Sequence, residues 1–161
     1  MRKLHSLNRL KKIIEEEKRK GKKVVLANGC FDLIHAGHIR YLKESREKGD
    51  ILVLAVNSDS SIRRLKGEGR PILMEKERLD ILSSISCVDY ITVFDEQTVE
   101  KVLLALKPDI HAKGSDYTTE TVPEKETVQR YGGEIAITGG PKIRSTSKII
   151  QQIIEKIGKD I

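Results

Sequence analysis

Short runs of apolar residues alternate with amphipathic stretches along most of the chain. Continuous apolar runs rich in β-branched residues are typical of buried strands, whereas apolar positions at helical spacing are typical of helices. The predicted strands are Val24–Asn28, Ile51–Asn57, Tyr90–Phe94, Asp109–Lys113 and Glu134–Thr138. The predicted helices are His38–Lys48, Ser60–Lys66, Glu75–Ser84, Thr98–Leu106, Pro123–Tyr131 and Ser147–Ile157. Because this alternation is typical of right-handed βαβ units, it predicts an α/β domain with five parallel strands covered on both faces.

The first 21 residues carry an amphipathic pattern of their own. Apolar residues recur there at helical spacing until a basic run ends at Gly21. These residues are Leu4, Leu7, Leu10, Ile13 and Ile14. We therefore predict a helical lead-in over residues 1–21, which packs either on the domain formed by residues 22–161 or on a partner subunit.

Polar and glycine-rich segments directly follow four of the predicted strands. The segments are Gly29–Phe31, Asn57–Asp59, Lys113–Asp116 and Gly139–Ser147. In open parallel sheets, ligands bind beyond the carboxyl ends of the strands, where the strand order reverses. The sequence therefore predicts a ligand site at this edge of the sheet.

Two histidines, His35 and His38, lie at the predicted start of the helix that follows the first strand. Residues three apart share one face of a helix, and Gly37 between them leaves room for a ligand to approach the backbone. The N-terminus of a helix attracts anions through its unpaired N–H groups and its dipole. Two imidazoles added to such a terminus indicate phosphate chemistry.

The motif His35-Ala-Gly-His38, preceded by Gly29-Cys-Phe-Asp32, resembles the His-x-Gly-His signature of the nucleotidyltransferase superfamily. The similarity runs over about residues 22–154 and is greatest to the D-glycero-D-manno-heptose 1-phosphate adenylyltransferase branch. The further matching segments, in order, are Val56-Asn-Ser-Asp59, Arg64-Leu-Lys-Gly67, Arg70-Pro71, Arg78, Val88-Asp89, Pro108-Asp109, Lys113-Gly-Ser-Asp-Tyr117 and Ser145-Thr-Ser147.

This resemblance implies a Rossmann-like, doubly wound fold and the transfer of AMP from ATP to a sugar 1-phosphate. The expected products are ADP-heptose and pyrophosphate, and Mg²⁺ is expected to arrive with ATP rather than in a metal site of the protein. The alternative within the superfamily is a cytidylyltransferase that acts on glycerol 3-phosphate or a similar phosphorylated alcohol. Superfamily members are often dimers or larger, so a homodimer or larger homo-oligomer is expected.

The resemblance also implies roles for individual residues. The expected catalytic residues are His35, His38 and Lys66, and the expected substrate-binding residues are Asn57, Asp59 and Lys66. The expected nucleotide-binding residues are Gly29, Cys30, Phe31, Gly37, Arg78, Lys113, Gly114, Asp116, Arg144, Ser145, Thr146 and Ser147. For Asp32 we favour a structural role, in which its carboxylate caps a loop or a helix start.

The net charge of +6 admits a second class of function, a basic module that binds nucleic acid. Aromatic residues make up only 4% of the chain and form no stacking cluster, so a nucleotide site that holds two phosphorylated ligands is favoured. A catalytically inactive nucleotide sensor is disfavoured by the intact histidine pair.

The chain has no apolar run near the ~18 residues of a membrane span and no apolar stretch after its basic N-terminus. We therefore expect no membrane partner and a cytoplasmic location.

Overall fold

A parallel sheet of five strands lies at the centre of the computed structural model, which describes residues 2–158. The strands are β1 (Val24–Gly29), β2 (Ile51–Asn57), β3 (Tyr90–Phe94), β4 (Ile110–Gly114) and β5 (Glu134–Thr138). The helices are α1 (Leu7–Arg19), α2 (Ala36–Arg46), α3 (Asp59–Lys66), α4 (Glu75–Ser83), α5 (Glu100–Leu106), α6 (Lys125–Arg130) and α7 (Thr146–Ile157). The predicted α/β fold and its five parallel strands are confirmed.

The strands lie in the order β3-β2-β1-β4-β5, so the chain reverses direction across the sheet between β1 and β4. These two strands are paired in parallel, with Ala27 opposite Ala112. In a doubly wound sheet, a crevice opens at such a reversal, beyond the carboxyl ends of the two central strands. The topology therefore places the predicted site residues of β1 and β4 side by side.

Alternate residues of each strand contribute to separate cores on the two faces of the sheet. On β1, Val24 and Leu26 belong to one apolar cluster, whereas Val25 and Ala27 belong to the other. All four residues are fully buried. This burial on both faces explains why the parallel strands appear in the sequence as continuous apolar runs.

The N-terminal helix α1 packs on the domain, one of the two placements that the sequence left open. Leu10 and Ile14 are fully buried in the same apolar cluster as Val102 and Leu103 of α5. Leu4 precedes the helix and pairs with Ile91 as an isolated parallel bridge at the edge of β3. No helix within residues 2–158 is long and apolar enough to cross a lipid bilayer.

Two predicted helix starts were wrong in ways that affect the site. Helix α2 begins at Ala36 instead of His38, because the His35 side chain accepts a hydrogen bond from the Gly37 N–H and so caps the helix. Pro123 was predicted in the first turn of α6, but this helix begins at Lys125 with Glu124 at its cap. The Glu124 side chain is buried against β4.

Candidate active site

A cleft of about 790 Å³ opens at the carboxyl ends of the central strands. This volume is within the range of small-molecule sites. Most of the predicted site residues line the cleft. They are Gly29, Cys30, Phe31, His35, Gly37, His38, Asn57, Lys66, Lys113, Gly114, Asp116, Arg144, Ser145, Thr146 and Ser147.

The two imidazoles are fixed by hydrogen bonds to the start of α2. Nδ1 of His35 accepts the Gly37 N–H at 3.1 Å, and Nδ1 of His38 accepts the His35 N–H at 3.3 Å. The two rings stack with their centroids 3.9 Å apart. Because each Nδ1 is an acceptor, each neutral ring must carry its proton on Nε2. The helix cap thus selects the tautomer that has its donor at Nε2.

Both histidines favour the neutral form in the free protein. Burial, followed by the charges of Arg144 and Lys142, lowers the pKa of His35. Burial, followed by the proximity of His35, lowers the pKa of His38 to about 4. At neutral pH, the two side chains therefore offer hydrogen-bond donors without carrying charge.

Gly37 is needed because the His35 ring occupies the space in which a side chain would begin. A Cβ at position 37 would lie 2.9 Å from Cε1 and 3.0 Å from Nδ1 of His35. We expect Gly37→Ala to displace this ring and to lower kcat/KM by at least about tenfold, because small misplacements of a catalytic group are costly. Melting temperature should change little, since alanine is the better helix former.

The neighbouring variant Ala36→Gly is the matched control for Gly37→Ala, because Ala36 is exposed in the same helical turn. Steady-state kinetics of Ala36→Gly should resemble those of the wild type. Full activity in Gly37→Ala would show that the position of the His35 ring is unimportant.

Acid should destabilise the protein partly through His38. Its pKa is about 4 in the folded protein, against 6.5 for an unperturbed histidine, so protonation favours the unfolded chain. The stabilising contribution is therefore fully present above about pH 6.5 and is lost as pH falls through about 4. Urea unfolding from pH 7 to pH 4 should show a larger loss of stability for the wild type than for His38→Gln. Equal losses in the two proteins would contradict the assigned pKa.

A second helix N-terminus, that of α7, faces the same cleft. Ser145 caps α7 by accepting the Lys148 N–H, and Thr146 donates a hydrogen bond from Oγ1 to the carbonyl oxygen of Leu33. The predicted helix start at this serine- and threonine-rich segment is confirmed. Two helix N-termini that converge on one cleft provide N–H donors and positive dipole ends from two directions, which suits a polyanion.

The cations around the cleft differ in whether an acid neutralises them. Three of them form ion pairs, namely Arg70 with Asp32, Lys113 with Glu124 and Lys142 with Asp116. Lys66 and Arg144 also line the cleft, and no acid within residues 2–158 forms an ion pair with either. These two residues leave the cleft with uncompensated positive charge.

Asp32 has the structural role that the sequence favoured. Its carboxylate accepts the backbone N–H groups of Ile72 and Leu73 and pairs with Arg70 at 2.7 Å. Burial alone would raise the pKa of this carboxyl, but the two amides and Arg70 hold the pKa below its ordinary value. Asp32 therefore stays ionised and anchors the segment before α4 to the loop after β1.

Arg78 and Asp59 lie outside the cleft, contrary to their predicted roles in binding ligands. Arg78 is fully buried and donates to the backbone carbonyls of Cys30, Asn57 and Leu73. It also forms an ion pair with Asp59 at 2.8 Å. All three nitrogens of the guanidinium donate to groups of the protein, so Arg78 braces the ends of β1 and β2 beneath the site.

The loop between β1 and α2 presents backbone groups to the cleft. Phe31 adopts a left-handed conformation with φ of 49°, and its buried ring contacts His38 at a centroid distance of 5.2 Å. A Cβ at position 29 would lie 3.0 Å from this ring, so Gly29 leaves space for it. Burial raises the pKa of the Cys30 thiol, which therefore stays protonated at neutral pH. Cys30 can thus contribute its backbone N–H but not a thiolate nucleophile.

Several residues that line the cleft were missed by sequence reasoning. They are Tyr41, Phe94, Gln97, Thr98, Val99, Glu124 and Thr138. Gln97 lies three residues after the end of β3, so the rule that found the other polar segments beyond strand ends could have flagged it. Glu124 gave no such signal, because it was predicted within a helix. Within residues 2–158, no three side chains of His, Cys, Asp or Glu are grouped as metal ligands.

Comparison with known proteins shows which proteins this chain resembles. Residues 26–156 match the family described as Cytidylyltransferase-like. A protein of Syntrophotalea carbinolica named Bifunctional protein HldE is 50% identical over 147 residues, which cover 91% of this chain and 30% of that protein. A protein of the same name from Geobacter metallireducens is 47% identical over 158 residues, or 98% of this chain and 32% of that protein. The chain thus spans about a third of the length of these curated relatives.

A solved structure is also similar to the chain. It is the lipopolysaccharide core biosynthesis protein from Thermoplasma volcanium GSS1, which is 37% identical with a TM-score of 0.60. The alignment covers 73% of this chain and 94% of that one.

Proposed function

The chain belongs to the cytidylyltransferase-like family, and we propose that it transfers AMP from ATP to a sugar 1-phosphate and releases pyrophosphate. The proposed sugar is D-glycero-D-manno-heptose 1-phosphate, and the product is then ADP-heptose. The observation that carries the proposal is the convergence of two helix N-termini and two Nε2 donors on one cleft. Family membership confirms the predicted superfamily.

The proposed acceptor supplies its own nucleophile. The second pKa of a phosphate monoester is about 6, so the sugar phosphate is mainly a dianion at neutral pH. One of its oxygens attacks the α-phosphorus of ATP, and the bond from that phosphorus to the oxygen bridging the α- and β-phosphates breaks as pyrophosphate leaves. Because this step needs no general base, the protein has to align two anions and to stabilise the charge that shifts between them.

The part of the cleft formed by His35, His38 and the start of α7, which we call its phosphate end, suits that task. Nε2–H of His35 and of His38 would donate to phosphate oxygens near the reacting phosphorus, where fixed donors are most effective. The start of α7 would bind the outer phosphates through its N–H groups. Lys66 and Arg144, which pair with no acid within residues 2–158, would reduce the repulsion between the two substrates.

We propose that Mg²⁺ enters the cleft bound to ATP. The amides, imidazoles and cations around His35, His38 and the start of α7 can donate hydrogen bonds to phosphate oxygens, whereas Mg²⁺ prefers oxygen ligands. Phosphate oxygens and water would therefore hold the ion, as is common for Mg²⁺, and the ion would neutralise charge on the triphosphate.

The proposed sugar is consistent with the relative from Thermoplasma volcanium, whose name refers to lipopolysaccharide core biosynthesis. ADP-heptose would feed cell-surface polysaccharide. The remaining alternative is transfer of CMP from CTP to glycerol 3-phosphate. The homo-oligomer, the absence of nucleic-acid binding and the cytoplasmic location stay predictions.

A pyrophosphate-release assay would test the proposed function. ATP and CTP should each be combined with heptose 1-phosphate, glycerol 3-phosphate and a sugar 6-phosphate as the control acceptor. We expect release with ATP and heptose 1-phosphate, and little with the other pairs. Turnover only with the pair CTP and glycerol 3-phosphate would overturn the proposal that the protein transfers AMP. The absence of turnover with every pair would overturn the proposed transferase activity.

A further inference from the structure

A buried cluster of three ionisable side chains lies at the wall of the cleft. His111 and Lys113 are two residues apart on β4 and therefore point to the same face of the sheet. Glu124 reaches them from the cap of α6. Its Oε2 lies 3.4 Å from Nζ of Lys113 and 3.5 Å from Nε2 of His111.

The three side chains differ in their access to the cleft. His111 is fully buried, whereas Glu124 and Lys113 are 6% and 8% exposed and line the cleft. Oε2 of Glu124 is buried and has no hydrogen-bond partner within the described residues. An ionised oxygen in this situation is costly unless a cation stays beside it. Lys113 is the only ammonium group of the cluster, so the two charges hold each other in place.

Glu124 keeps its negative charge. Burial alone would raise the pKa of its carboxyl, but His111 and Lys113 hold that pKa at about 2. The Lys113 ammonium is bounded on another side by the Tyr117 ring, whose centroid lies 4.9 Å away. A carboxylate and an aromatic face together restrict a side chain that would otherwise sample many rotamers.

We propose that Glu124 is a positioning residue, which holds the Lys113 ammonium at the cleft wall so that it donates hydrogen bonds to the nucleoside part of the bound nucleotide. This inference rests on the proposed function. An ammonium has three donors, and the pairing with Glu124 leaves others for a ligand. The ion pair has no net charge, so it suits the uncharged base and ribose better than phosphates. The cations of the cleft that pair with no acid within the described residues are instead Lys66 and Arg144.

A double-mutant cycle that joins Glu124→Gln and Lys113→Met tests whether Glu124 acts through Lys113. Glu124→Gln keeps the shape of the side chain but removes its charge. We expect it to raise KM for ATP and the Kd of ATP by about tenfold, the effect of one lost charge-assisted hydrogen bond, with kcat reduced less than about threefold. In the Lys113→Met background, the same substitution should change Kd less than about twofold.

Inorganic tripolyphosphate separates phosphate binding from nucleoside binding, since it has phosphates but no nucleoside. Its Kd should be the same for Glu124→Gln and the wild type. Glu124→Asp, which restores the charge, should recover part of the lost ATP affinity. The matched control is Glu126→Gln, because Glu126 is exposed two residues further along the chain. Melting temperatures show which variants fold, and Glu124→Ala, which also removes the carboxylate, replaces Glu124→Gln in the cycle if the latter does not.

Equal effects of the Glu124 substitution with and without Lys113 would overturn the inference, as would an equal loss of tripolyphosphate affinity. The binding measurements do not depend on turnover. A wild-type protein that bound ATP but released no pyrophosphate would therefore defeat the proposed function, while the cycle would still decide the role of Glu124.

Discussion

Replacing His38 with glutamine is expected to lower kcat by about 100- to 1,000-fold, the usual effect of removing one fixed donor to a transition state. Glutamine at the third position of a helix can still reach back to the backbone N–H at the cap, as Nδ1 of His38 does here. His35→Asn should have a similar effect, since asparagine is a good N-cap but has no group equivalent to Nε2. Both variants keep the helix cap while removing the donor.

The control for these two variants is His5→Asn, because His5 lies beside Tyr90 and outside the cleft. Its kcat should match that of the wild type. Thermal unfolding of all three proteins would show whether the loss of turnover follows from chemistry or from instability. Near-normal turnover in both His38→Gln and His35→Asn would show that the two histidines take no part in the mechanism.

Replacing Arg78 with methionine is expected to lower the free energy of unfolding by about 3–5 kcal/mol, the usual cost of breaking a buried ion pair. The substitution leaves the carbonyls of Cys30, Asn57 and Leu73 without their donor and Asp59 without its cation. At about 2–4 °C per kcal/mol, the melting temperature should fall by about 6–20 °C.

The exposed Arg63 provides the matched control, and Arg63→Met should change stability by less than about 0.5 kcal/mol. Equilibrium unfolding in urea measures both variants. Equal stabilities of the two would contradict the bracing role of Arg78. If Arg78→Met lowered the affinity for ATP strongly and left stability unchanged, the result would support the contact between Arg78 and the nucleotide that the sequence predicted.

The fold could be predicted from the sequence because its strands are buried on both faces. A continuous apolar run such as Ile51–Asn57 indicates a strand that is buried on both faces of a parallel sheet. Three of the five predicted strands have the observed bounds. The position of the cleft followed from the same pattern, since polar segments at successive strand ends must meet at one edge. The histidine pair was recognised because both residues belong to one local motif.

The roles of Arg78 and Glu124 could not be predicted, because they depend on groups that are distant in the sequence. Arg78 meets two carbonyls from the ends of different strands, a contact that exists only after β1 and β2 pair. Glu124 meets His111 and Lys113 because α6 begins two residues later than Pro123 suggested. Local periodicity shows which face of an element is apolar, but it does not identify the partner of a buried charge.

The central claim is that the paired imidazoles and the two helix N-termini bind a triphosphate. A crystal structure of the protein with a non-hydrolysable ATP analogue tests this most directly. We predict phosphate oxygens within about 2.7–3.2 Å of Nε2 of His35 and of His38, with the outer phosphates at the start of α7. An analogue bound at another surface, with the histidine cleft lacking phosphate, would contradict the account.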